Sequence, residues 1–415
     1  MAKDKASYDC IVIGGGASGM MAAISAARAG GKVLIVEHES KLGKKLLATG
    51  NGKCNFTNAK MNESCYRGDR RFFSILQKFS EKDTLSFFHE IGIYPKEKNG
   101  YYYPNSEQAV SVVDALIREL KKLHVELTTG TQITDIKQKG KTFRIATAET
   151  IYISKTVIFA VGLLASPKLG SDGSAFDFIK NFGHHFNPIV PALCGFYAKG
   201  ADFKKIAGVR TASSVKILCD GKIISNDSGE LQLTDYGIYG IPVFQVSRYA
   251  AYALKDKRKV EASVCFLPGM KSEELIDEWN YRISRNAGAV SVYDLLDGLF
   301  NQKLIGELIR KAGMTEKDVV TMHSNEQMNA LAKVIMDFRV TLTKVRDYEF
   351  AQVCAGGISA DDLDVNTLMS QLVPGLFFCG EILDVDGICG GYNLQWAWSS
   401  GFVAGDSAIT YSRRS

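Results

Sequence analysis

The chain of 415 residues reads as an α/β protein in which a parallel-sheet domain is split between the two ends. A β-barrel-like domain and a small helical domain are inserted between the halves. Three observations predict this. Residues 9–37 give strand, glycine turn, helix and strand in succession, residues 372–405 give a second buried strand and glycine turn entering a helix, and residues 125–159 alternate in short strand-like pieces.

Within residues 9–37, DCIVIGGGASGMMAAISAARAGGKVLIVE, the apolar run Cys10–Ile13 suits a central parallel strand, and Gly14, Gly16 and Gly19 follow in G-x-G-x-x-G spacing. Gly14 allows the tight turn, Gly16 lets the backbone approach a pyrophosphate, and Gly19 lets the helix pack closely on the strand. Helix N-terminal amides then face the phosphates. Ala22, Ala23, Ala26 and Ala27 line the packing side of this helix, and Gly30–Gly31 stop it before the strand Val33–Val36. Glu37 ends that strand, where a carboxylate accepts both ribose hydroxyls and repels a 2′-phosphate. The pattern predicts a Rossmann-like dinucleotide site. Its place at the N-terminus, with no catalytic domain before it, is common when the nucleotide is FAD.

Residues 38–58, with glycine and asparagine at turn spacing, read as a loop that wraps ligand and brings Lys44 or Lys45 near phosphate. Helices are expected over 70–92 and 106–123, the second with Val110, Val113, Leu116, Ile117 and Leu120 on one face. Tyr101–Tyr103, between Gly100 and Pro104, mark a hairpin or loop. Strand pieces follow at 125–129, 132–137, 142–147, 149–154 and 156–162, and Val161–Gly162 is a point where chain and cofactor pass closely. Pro188 and Pro191 mark a boundary. Beyond it, Ser213–Leu218, Glu230–Leu233 and Val260–Phe266 suggest a small β domain.

Residues 271–337 read as helical throughout, with apolar spacing at Leu275, Ile276 and Trp279, at Leu295, Leu296 and Leu299, and at Leu304, Leu308 and Ile309. Strand pattern returns at Phe338–Val345 and Phe350–Val353, with re-entry into the first domain near residue 346. Then Leu376–Cys379 forms a buried strand, and Gly387, Gly390 and Gly391 bend the chain into a helix starting near Tyr392. Its N-terminal partial charge suits the N1/O2 side of a reduced flavin.

Composition excludes several classes. With 46% hydrophobic and 23% charged residues, the chain is ordinary for a soluble globular protein. No window approaches a membrane span and MAKDKASYD lacks a signal-peptide core, so the expected location is cytoplasmic. Nine cysteines stand singly without C-x-x-C, which argues against a disulfide framework, a zinc ribbon or a dithiol centre, and no metal site is expected. The net charge of +5 is spread along the chain, which disfavours a nucleic-acid partner.

The segments GGGASG (14–19), TGNGKCN (49–55) and GEILDVDGICGGYNLQWAWSSG (380–401) resemble the bacterial flavoproteins that include BaiN-type reductases and aminoacetone oxidase. The resemblance implies non-covalent FAD and three domains, placed at 1–190 with 346–415, 191–268 with 338–345, and 269–337. It implies a flavin lining of Gly14, Gly16, Ala17, Ser18, Gly19, Glu37, Lys45, Asn51, Gly52, Cys54, Asn55, Gly162, Gly380, Glu381, Asp386, Gly391, Tyr392, Asn393 and Leu394. To this set we add His38, Lys44, Ile133, Ala160 and Val161. Three departures from the family pattern stand out: Cys389 replaces a usual threonine, Val161 a frequent glycine, and LTDYGIYGIP (233–242) the usual FTHYGLSGP.

The expected activity is reduction of an activated carbon–carbon double bond in a small hydrophobic molecule, with 3-oxo-Δ4 or Δ6 bile-acid intermediates the first substrate class. A bound flavin would supply the hydride to the β-carbon, and a hydrogen-bond donor on the protein would steady the negative charge that develops on the carbonyl oxygen. Lys53 and Tyr102 are candidates for that donor, and Cys389 is a third catalytic candidate. Only one nucleotide fingerprint is present, so NAD(P)H is expected as a transient electron donor. Two alternatives are an aminoacetone-type amine oxidase and an RNA-modifying flavoprotein. Oligomeric state is not read from the sequence.

Overall fold

The computed structural model describes residues 4–414; the first three residues of the MAKDKASYD stretch lie outside the described residues. Two compact units emerge, one running to Ile189 and resuming at Val353, the other spanning Val190–Gln352. Among the described residues no helix is long and apolar enough to cross a membrane.

The first unit is built on a parallel sheet. Asp4–Ile13 pairs with Val33–Val36 on one side and Ile151–Phe159 on the other, Glu126–Thr128 extends it past Val33–Val36, and Leu376–Phe378 joins beside Ile151–Phe159. Cys10, Ile11 and Val12 are fully buried, as expected of a strand covered on both faces. The antiparallel meander Ile133–Lys139, Thr142–Thr147 and Ile151–Phe159 hangs from the sheet. The pieces expected at 149–154 and 156–162 are therefore one strand. The apparent break is Lys155, an outward residue whose Nζ lies 2.9 Å from Asp9 Oδ1.

Other expectations need correction. The stretch 70–92 is not one helix: short turns over Arg70–Lys78 give way at Ser80, whose hydroxyl and Asp83 form a capping box that starts Glu81–Glu90. The next helix is Ala109–Lys122, with Val112, Val113, Leu116 and Leu120 buried while Val110 is 46% exposed. Residues 38–58 are not all loop, since Lys44–Ala48 is helical. The tyrosine triplet does lie in a hairpin, Pro95–Lys98 with Tyr101–Pro104.

In the second unit, six strands close a barrel in the order Phe196–Lys199, Gly237–Gly240, Lys222–Leu233, Arg210–Cys219, Val260–Cys265 and Phe338–Val345. The helix Ile241–Lys255 was not anticipated: its β-branched and aromatic residues mimic strand, but Pro242 in the first turn starts a helix and Val243, Val246 and Ala250 face inward. Residues 271–337 are not helical throughout either, because Ala289–Ser291 and Val319–Thr321 pair as a small ribbon between helices. Leu299 lies outside the core. Trp279, Leu295, Leu304, Leu308 and Met328 share one continuous apolar cluster with the barrel residues Val215, Val264 and Phe338. Phe350–Val353 is not a strand; a turn over Tyr348–Phe350 precedes Val353–Ile358, which is buried throughout.

Candidate functional site

The site in the first unit is assembled by a close approach of two helices, Ala17–Arg28 and Tyr392–Ser412. A Cβ on Gly401 would lie 3.1 Å from Met21 Cβ, and one on Gly405 would lie 2.8 Å from Ser25 Cβ. Ser25 Oγ donates to Phe402 O at 2.8 Å. Small residues at one helical spacing thus let backbone meet backbone and bring the two N-termini to one end of the sheet.

Neither helix caps itself. Gly16 and Gly391 are the N-cap residues, and no side chain accepts a cap hydrogen bond in either first turn, nor does an acidic residue stand there. The first-turn amides of each helix therefore remain available to an anionic or polar ligand. A Cβ on Gly16 would meet nothing within 4 Å, whereas one on Gly14 would lie 2.6 Å from Ala160 O and one on Gly19 3.1 Å from Ala160 Cβ. Gly16 thus faces open space beside the turn, and Gly14 and Gly19 lock the turn to the strand end at Ala160–Val161.

Glu37 is buried, with Oε2 accepting from Gly15 N at 2.6 Å and Oε1 from Glu39 N at 2.7 Å. The two amides hold the carboxylate at the end of the second strand. His38 Nδ1 stands 3.4 Å from its Oε1. Thr131 N donates to Glu37 O at 3.0 Å, which brings the loop before Ile133 against this corner. Lys44 turns to Glu39 at 2.7 Å, while Lys45 reaches Glu381 Oε2 at 2.7 Å; the other oxygen of Glu381 accepts from Cys354 N at 2.7 Å. Gly162 approaches the same carboxylate, its Cβ position 3.9 Å from Glu381 Oε2.

Asn55 ties the TGNGKCN turn to the second helix. Its amide donates to Thr57 O at 2.9 Å and Tyr102 O at 3.1 Å and accepts from Gly391 N at 3.2 Å. Asn51 and Cys54 hold left-handed φ, and Asn51 and Gly52 are exposed. Cys54 is fully buried, which pushes its thiol up to about 12. Gly380 N donates to Ser400 Oγ at 2.9 Å, and Asn393 clasps Gly387 through both its backbone atoms at 2.8 and 2.9 Å. Asp386 is buried in the short strand Val385–Gly387, and Tyr392 OH donates to Lys60 O at 3.2 Å.

The catalytic candidates fare unequally. Lys53 is an exposed partner of Glu107 at 2.7 Å, and that hydrogen bond raises its pKa, which makes it a poorer proton donor at neutral pH. Tyr102 sits in the hairpin with its ring half-buried. Cys389 is half-buried beside Tyr101 and Tyr103, and desolvation raises its thiol, so it is not a ready thiolate.

Sequence reasoning missed several residues. Gln395 is wholly buried, accepting from Thr57 Oγ1 at 2.6 Å and donating to Phe79 O at 3.1 Å. Trp396 and Trp398 donate to Gly380 O and Phe56 O at 3.0 and 2.9 Å. Asp384 is buried with Oδ2 bonded to Asn187 at 2.8 Å and no partner on Oδ1. Polar side chains inside an otherwise apolar helix were the available signal for Gln395.

The profile of the family described as "HI0933-like protein Rossmann domain" matches residues 8–407. The chain is 40% identical over 401 residues to the 3-dehydro-bile acid delta(4,6)-reductase of Clostridium scindens, covering 96% of this chain and 98% of that one. It is 28% identical to the ribosomal RNA dihydrouridine synthase of Escherichia coli, covering 97% and 98%. In fold it is similar to a flavocytochrome c3 fumarate reductase in its open conformation, with TM-score 0.51 and 12% identity over 99% of this chain and 79% of that one.

Proposed function

This chain belongs to the HI0933-like Rossmann-domain family, and from that premise we propose that it is an FAD-dependent oxidoreductase reducing a carbon–carbon double bond conjugated to a carbonyl. The substrate class is a 3-oxo-Δ4 or Δ6 steroid or bile acid. The observation that carries the reading is the 40% identity, sustained across nearly the whole of both chains, with a relative named for that reaction.

The residues present fit FAD. The open space at Gly16 beside an uncapped helix start suits a pyrophosphate, and the held carboxylate of Glu37 keeps acceptor capacity for ribose hydroxyls. Bound FAD supplies a two-electron centre able to transfer hydride to an electrophilic carbon. The amides at the start of Ala17–Arg28 would hold the phosphates of bound FAD. Those at the start of Tyr392–Ser412 would stabilise negative charge on it through the helix dipole. The Lys45–Glu381 pair ties the helix Lys44–Ala48 to the turn Gly380–Ile382, and Trp396, Trp398 and Gln395 are buried on this flank. NAD(P)H serves as the transient electron donor in this reading.

A second reading is favoured by the ribosomal RNA dihydrouridine synthases of Escherichia coli and Haemophilus influenzae, at 28% and 29% identity. The uracil 5,6-double bond is also conjugated to a carbonyl, so one flavin chemistry serves both substrates. The test is anaerobic: the purified yellow protein is bleached with NADH or NADPH, then offered a 3-oxo-Δ4 bile acid or unmodified ribosomal RNA. Return of colour with formation of the saturated ketone supports the steroid reading. Return of colour with RNA alone, or bleaching by aminoacetone instead of nicotinamide, sinks it.

A further inference from the structure

In the first unit the chain leaves the strand Ile151–Phe159 through Ala160, against which Gly14 and Gly19 pack, and then makes a loop that returns to its own root. Gly162 and Gly173 bound this loop, both with left-handed φ, 65° and 78°, and a Cβ on Gly162 would lie 3.0 Å from Ser171 Oγ. A short segment whose ends meet in this way is an Ω-loop, packed by its own side chains. Leu163 and Ala165 are fully buried, whereas Lys168, in the turn Pro167–Leu169 at the far end, is exposed.

The far end rests on the residues that follow the second strand. Lys44 Nζ donates to Lys168 O at 3.3 Å and to Glu39 Oε2 at 2.7 Å. Gly170 lies over the same corner: a Cβ on it would be 3.1 Å from Glu39 Cγ and 3.7 Å from His38 Nε2. His38 Nε2 also stands 4.0 Å from Asp172 Oδ2. Glu39 reaches Glu37 through its amide and is itself held by Gly130 N, which donates to Glu39 O at 2.8 Å. The loop thus starts beside the glycine turn and ends beside the acid that closes the second strand.

The Lys44 and Glu39 side chains are 30% and 24% exposed, so their charge-assisted bond is screened less than one on the open surface. The root behaves differently. Glycine at either end tolerates the change in φ and ψ that a swing of the loop requires, so its contacts with the second-strand corner, Lys44 among them, keep the far end down.

We propose that Gly162–Gly173 is a lid over the adenosine end of bound FAD and that Lys44 is its latch, a positioning residue that governs how long the dinucleotide is retained. The proposal rests on the FAD reading above, in which the glycine turn takes the pyrophosphate and Glu37 the ribose, because the loop spans these two points. In this role the Lys44 ammonium holds protein to protein, its hydrogen bonds taken by a carboxylate and a carbonyl and not by a phosphate.

The test uses the FAD-loaded protein. Release of FAD into an excess of a second FAD-requiring apoenzyme is timed, and amide hydrogen exchange is followed on the same samples. Lys44→Met should release FAD about threefold to tenfold faster than wild type, and Glu39→Gln, which keeps an acceptor for the ammonium, should speed release less. In Lys44→Met the amides of residues 162–173 should exchange faster while those of Cys10–Ile13 keep wild-type protection. Lys41→Met, which alters an exposed lysine of the same segment, should match wild type in both measurements. Unchanged release in Lys44→Met, or faster release with faster exchange throughout the parallel sheet, overturns the latch and leaves the FAD reading standing. Protein that purifies colourless and takes up no added FAD overturns the FAD reading and the lid with it.

Discussion

Lys45 Nζ and Glu381 Oε2 meet at 2.7 Å across 336 residues of chain. The pair fastens the short helix Lys44–Ala48 to the turn Gly380–Ile382 that follows the strand Leu376–Phe378, and Glu381 also satisfies Cys354 N. Glu381→Ala removes both partners at once and should destabilise by about 1–3 kcal/mol, since it orphans a buried amide and a partly buried ammonium. Glu381→Gln keeps an acceptor for the amide and should cost less. Thermal unfolding ranks the two variants, and equal melting points for both and wild type would show that the pair holds nothing together.

Gly16 and Gly19 belong to one turn but should fail differently. Gly16 has extended backbone angles that any residue adopts, and a Cβ there meets no protein atom within 4 Å. Gly16→Ala should therefore fold and melt like wild type while losing FAD affinity by about tenfold or more, because the methyl fills the space a pyrophosphate needs. Gly19→Ala pushes a methyl against Gly14 O and Ala160, and should lower stability by about 1–3 kcal/mol even without flavin. Flavin titration and melting of the two proteins separate ligand bulk from packing bulk.

The elements legible in the sequence were those whose signal is local. The strand and helix starts around Gly14–Gly19 and Gly391 announce themselves by glycine placement, because a turn that admits a ligand has few alternatives. What escaped depends on partners distant in sequence. Lys155 made one strand look like two because its aspartate partner, Asp9, lies in another strand. Val110 was assigned to the buried face because it is apolar, yet the helix turns Val112 inward instead. The Asp384–Asn187 bond joins segments far apart and has no spacing signature.

Lys53 bonds Glu107, which Lys96 also binds at 2.9 Å, and the two lysines draw the Glu107 carboxyl down to about 2. Both members of the Lys53–Glu107 pair are exposed, so the network holds charge at the surface and not a proton in transit. Lys53→Met should leave kcat within about threefold of wild type and its pH profile unmoved. A hundredfold fall with a displaced basic limb would restore Lys53 as the proton donor.

His184 is buried in the first unit, with Nε2 2.8 Å from Ser370 Oγ, Nδ1 3.3 Å from Ile179 O and its ring edge-on to Phe378. Burial lowers its pKa below the ordinary 6.5, against smaller opposing pulls from the Ile179 carbonyl and then Asp362. The unfolded chain therefore binds a proton at a higher pH than the folded one. The contribution of this histidine to stability is complete above pH 6.5 and is lost as pH falls from there toward the folded-state pKa. In paired unfolding curves, His184→Gln should lose less stability than wild type between neutral pH and pH 5. Parallel curves would contradict the assignment.

Gln395 joins three segments inside the protein. Its Oε1 accepts from Thr57 Oγ1 at 2.6 Å, and Nε2 donates to Phe79 O at 3.1 Å and to Ser399 Oγ at 3.0 Å, while Ser399 Oγ itself donates to Phe79 O at 2.6 Å. Gln395→Leu matches the volume but strands the Thr57 hydroxyl, at a cost of about 1–3 kcal/mol, or roughly 2–8 °C in melting temperature. Ser399→Ala alone should cost less, because Gln395 still donates to Phe79 O. The double variant should lose less than the sum of the two, since the residues share an acceptor and a hydrogen bond with each other. Strict additivity would mean that the helix Tyr392–Ser412 is held by its apolar face and small-residue packing alone.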